Sequence, residues 1–389
     1  MSAAASATLP FDLGVSAPLT LGILSTYPPT PCGLATFTAA LAAGLRAHGS
    51  VVRVVRVADG SPSDDGIIVG ELVNGRPQSV AAAADLLNQC DVAIIQHEYG
   101  LYGGEDGDEV VKILGSLRVP SIVIAHTVLR DPTPRQRSVL RSVAALADRV
   151  VVMSGAARNR IRDGFDVDPA KIDNIPHGAA IPVSRMPGPD LRRPTLLTWG
   201  LVGPGKGIER VIDAMPHLQS LTGRPRYLVA GRTHPKVLAA AGEAYRSARI
   251  EQARRNDVAA SVVFDADYRG VPALTALIQS AAVAVLPYDS RDQATSGVLV
   301  EAIAAGRPVV ATAFPHAVEL LASGAGIIVD HDDPDAMVGA LRQLLTDPDL
   351  AARMAAEASR LAPRFGWPVV ALAHLKLASR LHADRTALV

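Results

Sequence analysis

Residues 195–212 read "TLLTWGLVGPGKGIERVI". The stretch opens on a short apolar run with no polar face, as expected of a strand covered on both sides. Gly200, Gly203, Gly205 and Gly207 then form a loop, and "GIERVIDAMPHL" (207–218) has helical spacing. The same rhythm continues downstream. Strands are expected at 226–231, 261–266, 282–288, 308–312 and 326–329. Helices are expected over roughly 235–255, at 271–281, 296–306, 317–323 and 334–346, and from about 349 onward.

Upstream the alternation is equally regular. "LTLGILST" (19–26), "VVRVVRVA" (51–58), "DVAIIQHE" (91–98), "PSIVIAHTV" (120–128) and "DRVVVMS" (148–154) read as strands. Helical runs at 36–49, 79–90, 109–117 and 134–147 separate them. Apolar strands separated by helices imply parallel sheets with both faces covered. Between 178 and 194 the rhythm breaks: four prolines and no periodicity mark a linker. The expected fold is α/β, with two doubly wound Rossmann-like domains in series, residues 1–182 and 183–367. Such sheets bind ligands at the carboxyl ends of their strands, so the cleft between two facing domains is the expected site.

The 389 residues suit two domains. Lys plus Arg and Asp plus Glu both number 38, so the basic excess of a nucleic-acid binder is missing. The basic run "RSARIEQARRN" (246–256) reads as a solvated helix face. Two cysteines, Cys32 and Cys90, make neither a disulfide framework nor a metal set, and a reducing cytoplasm is the expected setting. The N-terminus has no basic residue before its mildly apolar run, which argues against a signal peptide. No apolar segment reaches the ~18–20 residues of a spanning helix, so a membrane contact, if made, is expected to be peripheral at its inner face.

Four strand ends carry candidate chemistry. In the loop 200–207, glycines let backbone N–H groups approach a phosphate and Lys206 adds a full charge; a strand-to-helix turn with a surface lysine is the other reading. In "YDSRDQATSGVLVEAIAAG" (288–306), a helix opens at Ser296–Gly297. There the amides of Ser296, Gly297 and Val298 would be free donors, and Glu301, one turn in, could accept from a ribose diol. Ser296 as a plain N-cap with a surface Glu301 explains the same residues. His126, in "IAHTVL" (124–129), ends a strand of the first domain, as do His97, Glu98 and Tyr99 in "QHEYGLYGG" (96–104); His177 reads as mainly structural. In "AGRTHP" (230–235), Arg232 faces the phosphates of Lys206 or lies on the surface. Spaced metal ligands, paired C-x-x-C and G-x-S-x-G are all missing, so no metal is expected.

Taken together, "YPPTPCGLATF", "QHEYGLYGG", "HTVL", "TWGLVGPGKGIERVI", "AGRTHP", "DQATSGVL" and "VEAIAAGRPVVAT" resemble the retaining family 4 glycosyltransferases of GT-B fold, in a mannosyltransferase-like branch. The resemblance covers roughly 19–375 and is strongest over 196–350. It implies that Gly33, in the loop after the first strand, lets the backbone approach donor diphosphate or acceptor. It implies that His126 lies beside the donor sugar and that Lys206, with Gly203 in its loop, holds the diphosphate. The family's companion arginine is Leu201 here, a departure that Arg232 would offset, or that leaves phosphate binding to lean on amides. The family's E-x7-E pair becomes Gln293 and Glu301, with Glu301 on the ribose and Gln293 on sugar hydroxyls, uncharged. It also implies a final helix, 368–389, crossing back to the first domain.

The implied function is metal-independent transfer of a hexose, mannose favoured, from a nucleotide diphosphate sugar to an acceptor hydroxyl with retention. His126, Gln293 and Lys206 take the catalytic roles. GDP-mannose is the favoured donor, UDP- or ADP-glucose next, with no other cofactor; a lipid carrier, a glycan or a small molecule can be the acceptor. Two alternatives remain: a GT-B nucleotide-sugar epimerase, and a non-catalytic nucleotide- or glycan-binding protein, which the Leu201 and Gln293 departures favour. A dinucleotide oxidoreductase would need G-x-G-x-x-G after a first strand, which neither half offers.

Overall fold

The computed structural model describes residues 18–182 and 192–387. The N-terminal segment, most of the linker and the last two residues lie outside these. Seven strands form one parallel sheet: β1 (Thr20–Ser25), β2 (Val51–Val57), β3 (Ile68–Leu72), β4 (Val92–His97), β5 (Ser121–Ala125), β6 (Arg149–Val152) and β7 (Ile172–Asn174). Their order is β3-β2-β1-β4-β5-β6-β7. Six more form a second parallel sheet: β8 (Thr195–Trp199), β9 (Arg226–Ala230), β10 (Val262–Asp265), β11 (Val283–Leu286), β12 (Val309–Thr312) and β13 (Gly326–Val329). Here the order is β10-β9-β8-β11-β12-β13.

Each sheet is built by apolar side chains on both faces. In β1, Leu21 and Ile23 join one core while Leu24 joins the core on the other face. β4, β5, β8, β11 and β12 have no exposed residue. Full burial of one such Leu, Ile or Val stabilises by about 1.5–3 kcal/mol. Strand order reverses between β1 and β4 and again between β8 and β11, and each reversal opens a crevice at the strands' carboxyl ends. The loops that leave these four strands carry most of the candidate residues.

The regular alternation overlooks β3 and β7. "IVGEL" in β3 is half exposed and contains a glycine, and β7 is three residues long, so neither shows an apolar run. The single helix expected over roughly 235–255 is two, Pro235–Ala241 and Ala244–Arg255, parted at Gly242 with φ 58°. The basic run 246–256 is not simply a solvated face. Arg246 is buried and donates to Gly231 O at 2.6 Å, and Arg249 pairs with Glu209 at 3.3 Å. Both guanidiniums also lie over aromatic rings, that of Arg246 5.9 Å from the centre of Phe264 and that of Arg249 5.3 Å from the centre of Tyr245.

The last helix, Trp367–Thr386, packs on Gly33–Ala47 of the first domain. The contact is close: a Cβ on Gly44 would stand 2.6 Å from Ala371 Cβ, so glycine is required there. His48 Nε2 bonds Pro368 O at 2.7 Å, and Arg385 donates to Arg118 O at 2.8 Å. Among the described residues no helix is long and apolar enough to cross a membrane.

Candidate active site

The second domain's share lies where β8 and β11 part. Gly207 caps the helix Ile208–Leu218 with φ 63°, and a Cβ there would meet Pro287 O at 1.7 Å. Glycine therefore permits the loop to lie on the segment after β11, where Asp289 N donates to Gly205 O at 3.0 Å. This places Lys206 Nζ 4.5 Å from the centre of the Tyr288 ring. Burial, with no carboxylate contribution, pulls the Lys206 ammonium down to about 8. Gly203 is buried in the same loop, its Cα face against Val237.

The helix Gly297–Ala304 starts beside this loop, and Ser296 caps it by accepting from Leu299 N at 3.2 Å. Of the three amides expected to be free, that of Ser296 is not: it donates to His316 Nδ1 at 2.9 Å. Burial holds His316 neutral, at about 4, so its ring nitrogen can accept. The amides of Gly297 and Val298 keep no acceptor among the described residues, as first-turn donors do. Glu301 accepts from Trp199 Nε1 at 2.7 Å, which fixes Oε2 and leaves Oε1 unused. Burial raises the Glu301 carboxyl above its ordinary range, and the Trp199 bond partly opposes that. Gln293 donates to Thr295 O at 3.1 Å, and its side-chain oxygen remains an unused acceptor. Arg232 is exposed, with its guanidinium 5.5 Å from the Tyr268 ring centre. His234 feels the charge of Lys206: burial, then Lys236, then Lys206 lower its pKa.

The first domain's share lies where β1 and β4 part. Cys32 caps the helix Gly33–Ala47, accepting from Ala35 N at 3.4 Å, and a Cβ on Gly33 would meet no atom within 4 Å. Arg56, fully buried at the end of β2, holds the preceding loop. It donates to Tyr27 O at 3.3 Å, Thr30 Oγ1 at 3.0 Å, Ser61 O at 2.7 Å and Glu71 at 2.7 Å, and it also pairs with Asp59.

His126 follows β5, with Nε2 on Gln96 Oε1 and its ring edge-on to Phe37 at 4.9 Å. Burial, then the nearby His177, His97 and His374, push its pKa down to about 3. His126 is therefore a neutral hydrogen-bonding group at pH 7. Glu98 accepts from Thr127 Oγ1 and from Tyr99 N. His97 is buried with neither ring nitrogen bonded, edge-on to Tyr99. His177, read from sequence as mainly structural, lines the site: its Nε2 lies 2.7 Å from where a Cβ on Gly297 would stand.

The geometry thus brings Lys206, Gly203, Gly297, Val298 and Glu301 to one crevice, with Gln293 in the same loop system. Sequence reasoning missed Trp199, His316 and Arg56. An arginine in the otherwise apolar "VVRVVRVA" was the available signal for Arg56. For Trp199 it was a tryptophan at a strand end just before the glycine loop.

Two Rossmann-like domains facing across a cleft, with a glycine loop and a helix N-terminus at the second domain's crevice, are the GT-B architecture. A family model described as "Glycosyl transferases group 1" matches residues 193–347, and one described as "Glycosyltransferase Family 4" matches 31–181. The chain thus carries a glycosyltransferase family 4 domain followed by a glycosyl transferases group 1 domain, together in the GT-B fold.

It is 30% identical over 260 residues to a GDP-mannose-dependent alpha-(1-6)-phosphatidylinositol monomannoside mannosyltransferase of Mycolicibacterium smegmatis, covering 62% of this chain and 64% of that one. It is 28% identical over 286 residues to a D-inositol 3-phosphate glycosyltransferase of Kineococcus radiotolerans, covering 66% and 62%. The chain thus matches somewhat under two thirds of the length of these two relatives. HepE of Anabaena, solved with UDP and glucose, shares the fold with TM-score 0.74 at 17% identity, over 93% of this chain and 100% of that one. Sucrose-phosphate synthase of Thermosynechococcus elongatus does so with TM-score 0.74 at 17% identity, over 94% and 100%.

Proposed function

We propose that the chain transfers a hexose from a nucleotide diphosphate sugar to an acceptor hydroxyl with retention of configuration, with mannose from GDP-mannose as the favoured donor sugar. One observation carries the reading. A partly buried Lys206 with no carboxylate partner stands by a helix start whose Gly297 and Val298 amides have no acceptor, and Glu301 offers one free oxygen a turn further in. That is a seat for a diphosphate followed by a diol. Two relatives described as GDP-mannose-dependent mannosyltransferases, from Mycolicibacterium smegmatis and Mycobacterium tuberculosis, support the donor.

In the proposed reaction the bond from the anomeric carbon to the leaving phosphate oxygen breaks, and its electron pair stays on that oxygen. The acceptor oxygen bonds to the same face of the carbon, and its proton passes to the leaving phosphate. Lys206 and the two amides neutralise the charge that develops, with Gly203 in the supporting loop. Neutral His126 and Gln293 would orient the sugar hydroxyls. The acceptor is a lipid-linked, glycan or small-molecule hydroxyl met on the first domain's side. A cytoplasmic setting, with peripheral contact at the inner membrane face for a lipid-linked acceptor, fits the two free cysteines.

Hydrolysis of a panel of GDP, UDP and ADP sugars tests this function. Slow sugar release from one donor is expected. Tight binding with no release, in any acceptor mixture, would make the chain a binder.

Two further outcomes follow from the site. A diphosphate binds the cationic form of Lys206, which in the free protein is lost as pH rises through about 8. Affinity is therefore expected to be flat between pH 7 and 7.5 and to fall toward tenfold per unit above about 8. Lys206→Arg should flatten that slope, since guanidinium stays charged; calorimetric titration from pH 7 to 9.5 measures both. Gly33→Val should leave folding intact, because its Cβ meets nothing within 4 Å. Turnover is expected to fall at least ~10-fold while nucleotide binding stays within ~3-fold. Equal turnover would remove Gly33 from the site.

A further inference from the structure

The loop that carries Gln293 is held as much by the first domain as by its own. Ala294 is buried in the first domain's hydrophobic core, among Val128, Val152 and Ala157. Ser154 Oγ donates to Ala294 O at 2.6 Å while accepting from Ala157 N at 2.9 Å. One residue on, Gly155 N and Ala156 N donate to the two Glu319 oxygens of the second domain at 2.8 and 2.9 Å. Across this seam one side chain touches both candidate catalytic loops. Arg160 Nη1 donates at 2.7 Å to Val128 O, two residues past His126, and at 2.7 Å to Asp292 O, one residue before Gln293. Arg130 Nη1 adds a 3.9 Å ion pair to Asp292 from the same His126 loop.

We propose that Arg160 is a positioning residue that locks the His126 loop of one domain to the Gln293 loop of the other, so that the two sugar-facing groups come into register only when the domains are apposed as here. The proposal rests on the roles given to His126 and Gln293 above. It goes beyond them by tying assembly of the site to domain apposition through one guanidinium. Both acceptors are main-chain carbonyls, so the clamp depends on backbone position rather than on the side chains at 128 and 292. A guanidinium suits the task because the two N–H bonds of Nη1 are held in its plane and point at two different oxygens. Catalysis of this kind is sensitive to placement errors of about 1 Å, which a loosened loop would produce.

Hydrogen exchange and kinetics of Arg160→Leu test it, with Arg160→Gln, which keeps an NH2 donor group on a shorter, uncharged stem, as the second variant should the first fail to fold. The expected result has three parts. Amides of 290–295 and 126–132 exchange at least ~10-fold faster, while the rest of the second domain, the helix start at 296–298 included, keeps its protection. Affinity for GDP, UDP or ADP stays within ~3-fold, because the Lys206 loop and the helix Gly297–Ala304 with Glu301 belong to the second domain and Arg160 touches neither. Turnover of the preferred nucleotide sugar falls roughly 10- to 100-fold in kcat at little change in KM, and Arg160→Gln recovers part of it. Unchanged exchange in both segments would overturn the proposal, as would faster exchange spread evenly over both domains, the mark of a residue that only stabilises. The exchange arm needs no turnover. A wild-type protein that releases no sugar refutes the transferase reading, while the loop measurement still decides the clamp.

Discussion

Lys206→Ala is expected to weaken binding of the nucleoside diphosphate by roughly 30- to 1,000-fold. Removing one partner of a desolvated charge pair costs about 2–4 kcal/mol, and each 1.4 kcal/mol is tenfold. In the ligand-free protein the ammonium lies over Tyr288 with no carboxylate beside it, and burial lowers its pKa to about 8. A lysine whose folded pKa is depressed costs folding energy while it is charged, a cost present in full below that pKa and relieved as pH rises above it. The substitution should therefore raise the unliganded protein's stability at pH 7, by about 1 kcal/mol once the partial exposure is discounted. Weaker ligand binding with a higher melting temperature is the signature of a charge kept for its ligand. Calorimetry and thermal melting read the two halves. Loss of binding together with a lower melting temperature would show Lys206 to be structural.

Arg56→Met is expected to be the most damaging single change in the first domain. The methionine fills much of the volume but leaves Tyr27 O and Ser61 O without their donor and Glu71 and Asp59 without their cation. Breaking a buried pair costs about 3–5 kcal/mol, and the partial exposure of both carboxylates brings this to about 2–4 kcal/mol. For a domain of this size that lowers its melting temperature by roughly 5–15 °C. The effect should also grow with pH. Asp59 sits below its ordinary value because bonds from Thr30, Ser61 and Arg56 outweigh its burial. Its stabilisation is present above the unfolded carboxylate pKa and is lost as pH falls through the folded one, so wild type and variant should converge in acid. Melting curves from pH 3 to 8 measure this; equal melting temperatures at pH 7 would mean that the loop needs no buried cation.

Both effects show which physical signals a sequence carries. The two parallel sheets are legible because a strand buried on both faces has no polar side, as in "VAIIQH" and "TLLTW". The edge strands β3 and β7 are not, because they are half exposed or three residues long. In the site, Lys206 and Glu301 are legible because each stands at a fixed offset from a strand end: the loop or helix start that follows places it. Trp199, which orients Glu301, and His316, which occupies the Ser296 amide, are contacts between segments far apart in the chain, and no local pattern announces them. Arg232 shows the converse. Its strand-end position is right for a phosphate contact, yet its side chain rests on Tyr268. The interdomain clasp of Ser154, Arg160 and Glu319 was invisible for the same reason, since backbone carbonyls and amides leave no mark on composition.

Glu301 allows the most direct test of the donor seat. Calorimetric titration with GDP, UDP and ADP first identifies the base, and the preferred diphosphate is then compared with its 2′,3′-dideoxy form in wild type and in Glu301→Ala. If Oε1 accepts from the ribose diol, wild type should bind the dideoxy form about 10- to 100-fold more weakly, one charge-assisted hydrogen bond being worth about 1.5–3 kcal/mol. Glu301→Ala should bind both forms alike, at the weaker level. A wild-type protein that binds the two forms equally well, or an alanine variant that still tells them apart, would contradict the placement of the nucleotide in the second domain's crevice.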